Sequence, residues 1–154
     1  MYHMVQNIDV TVTAQAEPAE VYALLISGAR WPEFSRLGSF ELERPGDDGA
    51  EGVGAIRVFR TRVGGRTYTS REEIVERVAD RRFSYRLLSG LAIRDYRVDV
   101  DLTPVPDGTE IHWHASFTPK IPGTGALYRR QLTGLAGNLL TGLAATAGGV
   151  RNGA

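Results

Sequence analysis

Alternation with a period of two runs through most of the first 120 residues. Ile8, Val10 and Val12 alternate with Asp9, Thr11 and Thr13, the mark of a strand with one buried face. Tyr96, Val98, Val100 and Leu102 alternate in the same way with Asp95, Arg97, Asp99 and Asp101. Ile111, Trp113, Ala115 and Phe117 do so with Glu110, His112, His114 and Ser116. Shorter runs place Phe40 and Leu42 inward within 39–43, and Phe83, Tyr85 and Leu87 inward within 82–87. Residues 53–61 and 67–78 read as two strands of a hairpin turned at Gly64-Gly65. The clusters Pro45-Gly46-Asp47-Asp48-Gly49 and Pro106-Asp107-Gly108 are turns.

Helical spacing appears at two places. After Glu17, Pro18 suits a first helical position and Val21 with Leu25 stands at i, i+4, with Gly28 as the stop. Trp31-Pro32-Glu33-Phe34 predicts a further short helical turn. From about 123 to 147, Leu132, Leu135, Leu139, Leu140 and Leu143 share one helix face, and Thr133, Gly134, Gly137, Asn138 and Thr141 the other. The predicted order is strand, two helices, six strands, long helix. Hairpin-joined strands cannot run parallel, because parallel pairs need crossovers of a dozen residues or more. The expectation is therefore an α+β fold in which the long C-terminal helix covers a seven-stranded antiparallel sheet. A curved sheet, which the 18 glycines suit, leaves a gap beneath a straight helix. An apolar gap lined by aromatics is the usual form of a small-molecule site. No repeat or linker divides the chain, so a single domain over 1–154 is expected.

Composition narrows the function. Basic and acidic residues number 18 each, which argues against nucleic acid as a partner. The absence of cysteine excludes disulfides, thiolate zinc sites and cysteine nucleophiles, and it suits a reducing cytoplasm. Met1 to Val10 lacks the basic start and apolar run of a signal peptide. Gln131 to Val150 is uncharged and long enough for a bilayer, but its single apolar stripe predicts a docked helix and no membrane span.

Several local motifs stand in a familiar order. They are Ala16-Glu17-Pro18-Ala19-Glu20-Val21-Tyr22, Trp31-Pro32-Glu33-Phe34, and Gly52-Val53-Gly54-Ala55-Ile56-Arg57. Glu73-Ile74-Val75-Glu76 leads to Tyr85, and Asp107-Gly108-Thr109-Glu110-Ile111-His112-Trp113 precedes Phe117 and Pro119. Over residues 8 to 148 the chain resembles the START-like, helix-grip superfamily (SRPBCC), with its polyketide cyclase/dehydrase relatives, lipid-transfer START domains and birch-allergen type. The resemblance implies a curved sheet wrapped around the C-terminal helix, with an internal cavity that binds or carries a small hydrophobic or aromatic molecule. It allows a second reading, a polyketide cyclase/dehydratase-like enzyme using aldol cyclisation or dehydration. Two departures stand out: Ser27-Gly28 where an acidic residue is common after the first helix, and Phe34 where a tryptophan is common.

Arg57 and Glu73 are the first candidates for chemistry. Arg57 shares strand parity with Val53, Ala55 and Phe59, and Glu73 with Val75. If both face inward they pair with each other or with a polar ligand group, since a lone buried charge is costly. Arg57 would then orient a carboxylate, phenolate or enolate, and Glu73 would act as base, with Tyr85 a third acid–base candidate. The alternative is a structural ion pair, or a wet face with Ile56, Val58 and Ile74 inward. Trp31, Phe34, Phe59, Tyr68, Tyr85, Tyr96, Trp113, Leu135 and Leu139 are the expected ligand-lining residues alongside Arg57 and Glu73. His112 and His114, two apart on one strand, face the same way but outward, with no third ligand evident, so neither a metal nor another cofactor is expected. His3 lies in the terminal segment. Gly52-x-Gly54-x-x-Arg57 opens a strand and lacks the third glycine, so it is no dinucleotide fingerprint. A third reading, an interaction module, rests on Gly134, Gly137, Asn138 and Thr141, a small-residue face open to a partner or to a second copy in a homodimer.

Overall fold

Strand β1 (Gln6–Ala14) leads into helix α1 (Pro18–Leu25), a 3-10 turn (Gly28–Arg30) and the one-turn helix α2 (Trp31–Phe34). Strands β2 (Ser39–Arg44), β3 (Ile56–Val63), β4 (Arg66–Val78), β5 (Arg82–Ser89), β6 (Ile93–Val105) and β7 (Gly108–Pro119) follow, and helix α3 (Gly125–Ala147) ends the order. This computed structural model describes residues 4–47 and 49–148; His3, Asp48 of the predicted turn and the end of the uncharged segment at Val150 lie outside them. The seven strands form one antiparallel sheet in the order β1-β7-β6-β5-β4-β3-β2. The element order is the one that periodicity predicts. The first two strands lie at opposite edges, and α1 and α2 carry the chain across between them.

Two boundaries differ from the expectation, for local reasons. Helix α1 stops at Leu25, before Gly28, because the next turn is tied elsewhere. The Trp31 indole donates to the Leu24 carbonyl at 3.1 Å, and the Gly28 amide donates to the Glu51 carboxylate at 2.8 Å. Strand β3 opens at Ile56 and not at Val53, since the Ala55 amide bonds back to the Gly52 carbonyl at 3.0 Å in a turn.

The inner sheet face carries Ile8, Phe59, Ile74, Phe83, Tyr85, Val98, Val100, Ile111, Trp113 and Phe117, all buried. Helix α3 covers it with Leu132, Ala136, Leu139, Leu140, Leu143 and Ala144. The helix comes unusually close to α2 at Gly142, where a β-carbon would run into the Phe34 carbonyl oxygen. Register shifts at Leu42/Arg44, Arg71/Glu72, Ile74/Glu76 and Arg94/Arg97 bend the sheet around the helix, the usual effect of bulges. The hairpin between β3 and β4 has positive φ at both Gly64 (57°) and Gly65 (80°), a turn whose twist suits paired strands. The outer face is a lattice of charges, including Arg71–Glu43 at 2.6 Å, Arg86–Glu73 at 2.6 Å and Arg82–Asp101 at 2.6 Å. Among the described residues no helix is long and apolar enough to cross a membrane.

Candidate functional site

A cavity of about 70 Å³ lies between the inner sheet face and α3. Ser70 and Glu72 of β4, Tyr85 and Leu87 of β5, Leu91, Tyr96 of β6 and Trp113 of β7 form its sheet side. Trp31 and Leu37 close it from the α2 side, and Leu132, Leu135, Ala136 and Leu139 form its helix wall. A larger cleft of about 710 Å³ lies at Gln15–Glu20, Asp80, Arg81 and 104–108. It is wide open and has no aromatic side chain in its lining, so it lacks the enclosed apolar character of a small-molecule site.

Strand parity decides which charges enter the interior. Along β4 the inward residues are Ser70, Glu72 and Ile74; Val75 is the extra residue of the bulge that follows. Glu73 is therefore an outer-face residue, which corrects the expectation of an inward Glu73. It sits across from Ile56 and Arg86, and its carboxylate takes Arg86 at 2.6 Å and Arg44 at 3.6 Å. Arg57 does face inward, and its cross-strand neighbour is Glu72. The interior charges are Arg57 and Glu72, not Arg57 and Glu73.

Arg57 is fully buried one layer behind the cavity wall. Its guanidinium lies over the Trp31 ring at 4.1 Å, with Phe83 at 5.2 Å and Phe59 at 5.3 Å, a cation held among aromatic faces. Nη1 donates to the Leu25 carbonyl at 3.4 Å, and Nε lies 3.5 Å from Glu51 Oε1. Burial lowers its pKa, and the charges of Glu72 and Glu51 work against that. Glu51 comes from the turn before β3 and reaches this cation only because Gly28 has no side chain; a β-carbon there would stand 2.7 Å from Glu51 Oε1 and 2.8 Å from Arg57 Nε. Glu51 thereby brings a carboxylate from the turn before β3 to the Ser27-Gly28 segment.

Glu72 is the titratable group of the cavity itself. Burial pushes its carboxyl up to about 7, with the Arg57 charge holding it from rising further. Among the described residues its Oε1 has no hydrogen-bond partner, and neither has the Trp113 indole N–H. Burial and the nearby Glu72 carboxylate raise both Tyr85 and Tyr96, so both remain phenols. Tyr85 packs edge-on to Trp31 (6.4 Å) and to Trp113 (5.9 Å). The result is an apolar pocket with one carboxyl that can take or release a proton near neutral pH, two phenols, and an indole donor with nothing to bind.

Of the residues predicted to line the site, Trp31, Tyr85, Tyr96, Trp113, Leu135 and Leu139 border the cavity. Arg57 and Phe59 are buried behind it. Phe34 is half-buried beside α3 and away from the cavity. Tyr68, 42% exposed near the end of the hairpin, is also away from it, with Arg66 over its ring at 5.7 Å. Both are corrections: Phe34 uses its position to seat α3, and Tyr68 lies beyond the covered part of β4. Sequence reading missed Ser70, Glu72, Leu37, Leu87, Leu91, Leu132 and Ala136 as lining residues, and Glu51 as the partner of Arg57. Glu72 shares parity with Ile74 and Glu73 with Val75, so alternation did not choose between them, and nothing local marked Glu51. On the opposite side of α3, β-carbons built at Gly134 and Gly137 would meet open space, and Asn138 Oδ1 accepts the Arg36 amide at 2.9 Å.

Comparison with solved structures gives the same architecture at low identity. A START superfamily protein from Mycobacterium smegmatis superposes with a TM-score of 0.78 at 12% identity, over 92% of this chain and 96% of that one. The di-domain ARO/CYC StfQ from the steffimycin biosynthetic pathway gives 0.78 at 17% identity, over 94% of this chain and 51% of its own. Ara h 8.0201 gives 0.76 at 15% identity, over 94% and 98%. No curated protein matches the sequence. The family described as "Polyketide cyclase / dehydrase and lipid transport" matches residues 5–148. That match and the helix-grip fold support hydrophobic-ligand binding, and by it the chain belongs to the polyketide cyclase/dehydrase and lipid transport family.

Proposed function

We propose that this protein encloses a small, largely apolar molecule that carries one polar group, in the cavity between β4–β7 and α3. The supporting observation is the pair of polar atoms without a partner among the described residues, Glu72 Oε1 and Trp113 Nε1, on a wall made mostly of leucines and aromatics. A buried polar atom without a partner costs about 1–3 kcal/mol. A ligand hydroxyl or carbonyl that accepts from Trp113 or meets the Glu72 carboxyl recovers that cost. An all-hydrocarbon ligand does not, so polar-headed ligands are preferred.

Size sets a second condition. At about 70 Å³ the cavity is several-fold smaller than the roughly 300–1,000 Å³ of typical ligand pockets. A ring-sized ligand therefore enters by pushing α3 outward, since the leucines of α3 form one wall and the sheet forms the other. Native mass spectrometry of the purified protein, followed by thermal-shift screening of hydroxylated and carbonyl-bearing aromatics, tests the reading. Ligands lacking the polar group should bind at least tenfold more weakly, and Trp113→Phe should reduce that preference. Equal binding of polar and hydrocarbon analogues would overturn the polar-anchor reading.

A second reading is cyclase- or dehydratase-like catalysis, and the observation favouring it is Glu72 near neutral pKa beside two phenols. A carboxyl poised near the working pH suits general acid–base catalysis, while enclosure supplies orientation. Arg57, behind Trp31, would act on this site only through the Glu72 charge. The cysteine-free composition favours a reducing cytoplasm as the setting. The exposed Gly134 side of α3 remains the face on which a second copy would sit.

A further inference from the structure

The outer face of the sheet brings together three metal-binding side chains from two strands. His112 and His114 stand two apart on β7, so both project outward, and their rings stack at 4.7 Å with an interplanar angle of 27°. Asp101 of β6 is the direct cross-strand partner of His112. One ligand atom from each of the three lies within 4.8 Å of the others, and all three side chains are half-buried. The third ligand that strand β7 itself does not contain is supplied by the antiparallel register of β6.

We propose that Asp101, His112 and His114 form a binding site for a late first-row divalent cation, Zn²⁺ in particular. Two imidazoles and one carboxylate, with a remaining position for water, are an established donor set for zinc. The surrounding geometry supports them. Arg82 donates to both Asp101 oxygens, at 2.6 and 3.0 Å, which keeps the carboxylate ionised and fixes its plane. Asp101 Oδ2 lies 2.6 Å from His114 Nε2, and Asp9 Oδ1 of β1 lies 3.0 Å from His112 Nε2. An ion must open the His114–Asp101 pair, since donors bound at about 2.0–2.2 Å stand farther apart than 2.6 Å in a tetrahedral site.

Charge at the site favours a cation. Arg82 is shared with Glu76 at 3.5 Å and Asp99 at 3.6 Å, and Arg97 with the same two at 2.8 and 3.1 Å. Glu76, Asp99, Asp101 and Asp9 therefore outweigh the two guanidiniums nearby. The site lies on the opposite face of β7 from the Trp113 indole, so an ion there would cross-link β6 to β7 behind the cavity wall without entering it.

The test is titration of the full chain with ZnCl₂ by isothermal calorimetry, in a His3→Ala background so that the terminal histidine adds no site. One ion should bind per chain, and the ion should raise the melting temperature. His114→Gln and Asp101→Asn should each weaken binding tenfold or more, with circular dichroism reporting that the fold is kept. Asp101→His, which restores a third donor, should bind at least as tightly as the parent. Absence of saturable uptake, or uptake that both His114→Gln and Asp101→Asn leave unchanged, would overturn the site.

Discussion

At Glu72, protonation is coupled to folding. Its carboxyl titrates at about 7 in the folded chain against an ordinary 4.5, so the folded state holds the proton more tightly. The stability that follows is complete below about 4.5, is lost as pH rises towards 7, and is flat above that. Two and a half units correspond to about 3 kcal/mol. Urea denaturation of Glu72→Gln beside the parent should show the variant more stable by up to that amount at pH 8, with the gap narrowing as pH falls and closing by about pH 4. A constant gap would place Glu72 in contact with water. Arg57 acts on the same proton from behind Trp31. Arg57→Met keeps the packing over the aromatic rings and removes the charge that holds Glu72 down, so the Glu72 pKa should move above about 7 by carboxyl ¹³C NMR. Glu51 is left with its Gly28 amide bonds, at 2.8 and 3.1 Å, as partners.

At the scale of the element, α3 has two kinds of glycine. Gly134 faces open space, so Gly134→Ala should stabilise by about 0.5–1 kcal/mol through helix propensity alone. At Gly142 a methyl group collides with the backbone of Phe34, so Gly142→Ala should cost about 1–3 kcal/mol despite the same gain in propensity. Equilibrium denaturation of the two variants separates packing from propensity. Ala136, buried on the cavity wall, gives a third test. Ala136→Leu fills the space, and it should abolish ligand-induced thermal shifts while costing no more than about 1–3 kcal/mol of stability. The strands also explain what sequence could and could not reveal. β1 and β7 keep one alternation from end to end, and β6 keeps it from Tyr96 to Leu102 after a shift at Arg94/Arg97, so their inward residues were legible over those stretches. In β4 the run Arg71-Glu72-Glu73 offers a charge at each parity, and the bulge at Val75 shifts the phase between Ile74 and Arg77. Ile74 and Val75 are equally apolar, so alternation alone cannot say which glutamate enters the core. The partnership of Glu51 with Arg57 depends on a turn folding back over the 3-10 segment, and no local pattern carries such a contact. The third ligand to the histidine pair was hidden for the same reason, since Asp101 becomes their neighbour only through pairing between β6 and β7.

For the molecule as a whole, the cavity is small and the wall that can yield is the helix. Ligand binding should therefore alter amide exchange of residues 132–139 far more than that of β6 and β7, which hydrogen–deuterium exchange would reveal. A uniform slowing across the sheet would instead indicate general tightening. Strand order has a further consequence, for the time course of synthesis. From β3 to β7 every strand pairs with the strand before it in the sequence, so the sheet from β2 to β7 can assemble in the order in which it is made. β1 is the exception: its partner among the described residues, β7, begins at Gly108. Roughly 95 residues separate the end of β1 from that point, which at about 5–20 residues per second is a delay of roughly 5–20 s. Throughout that interval β1 has no native partner outside the ribosome, and its unpaired edge is open to a chaperone or to another nascent copy.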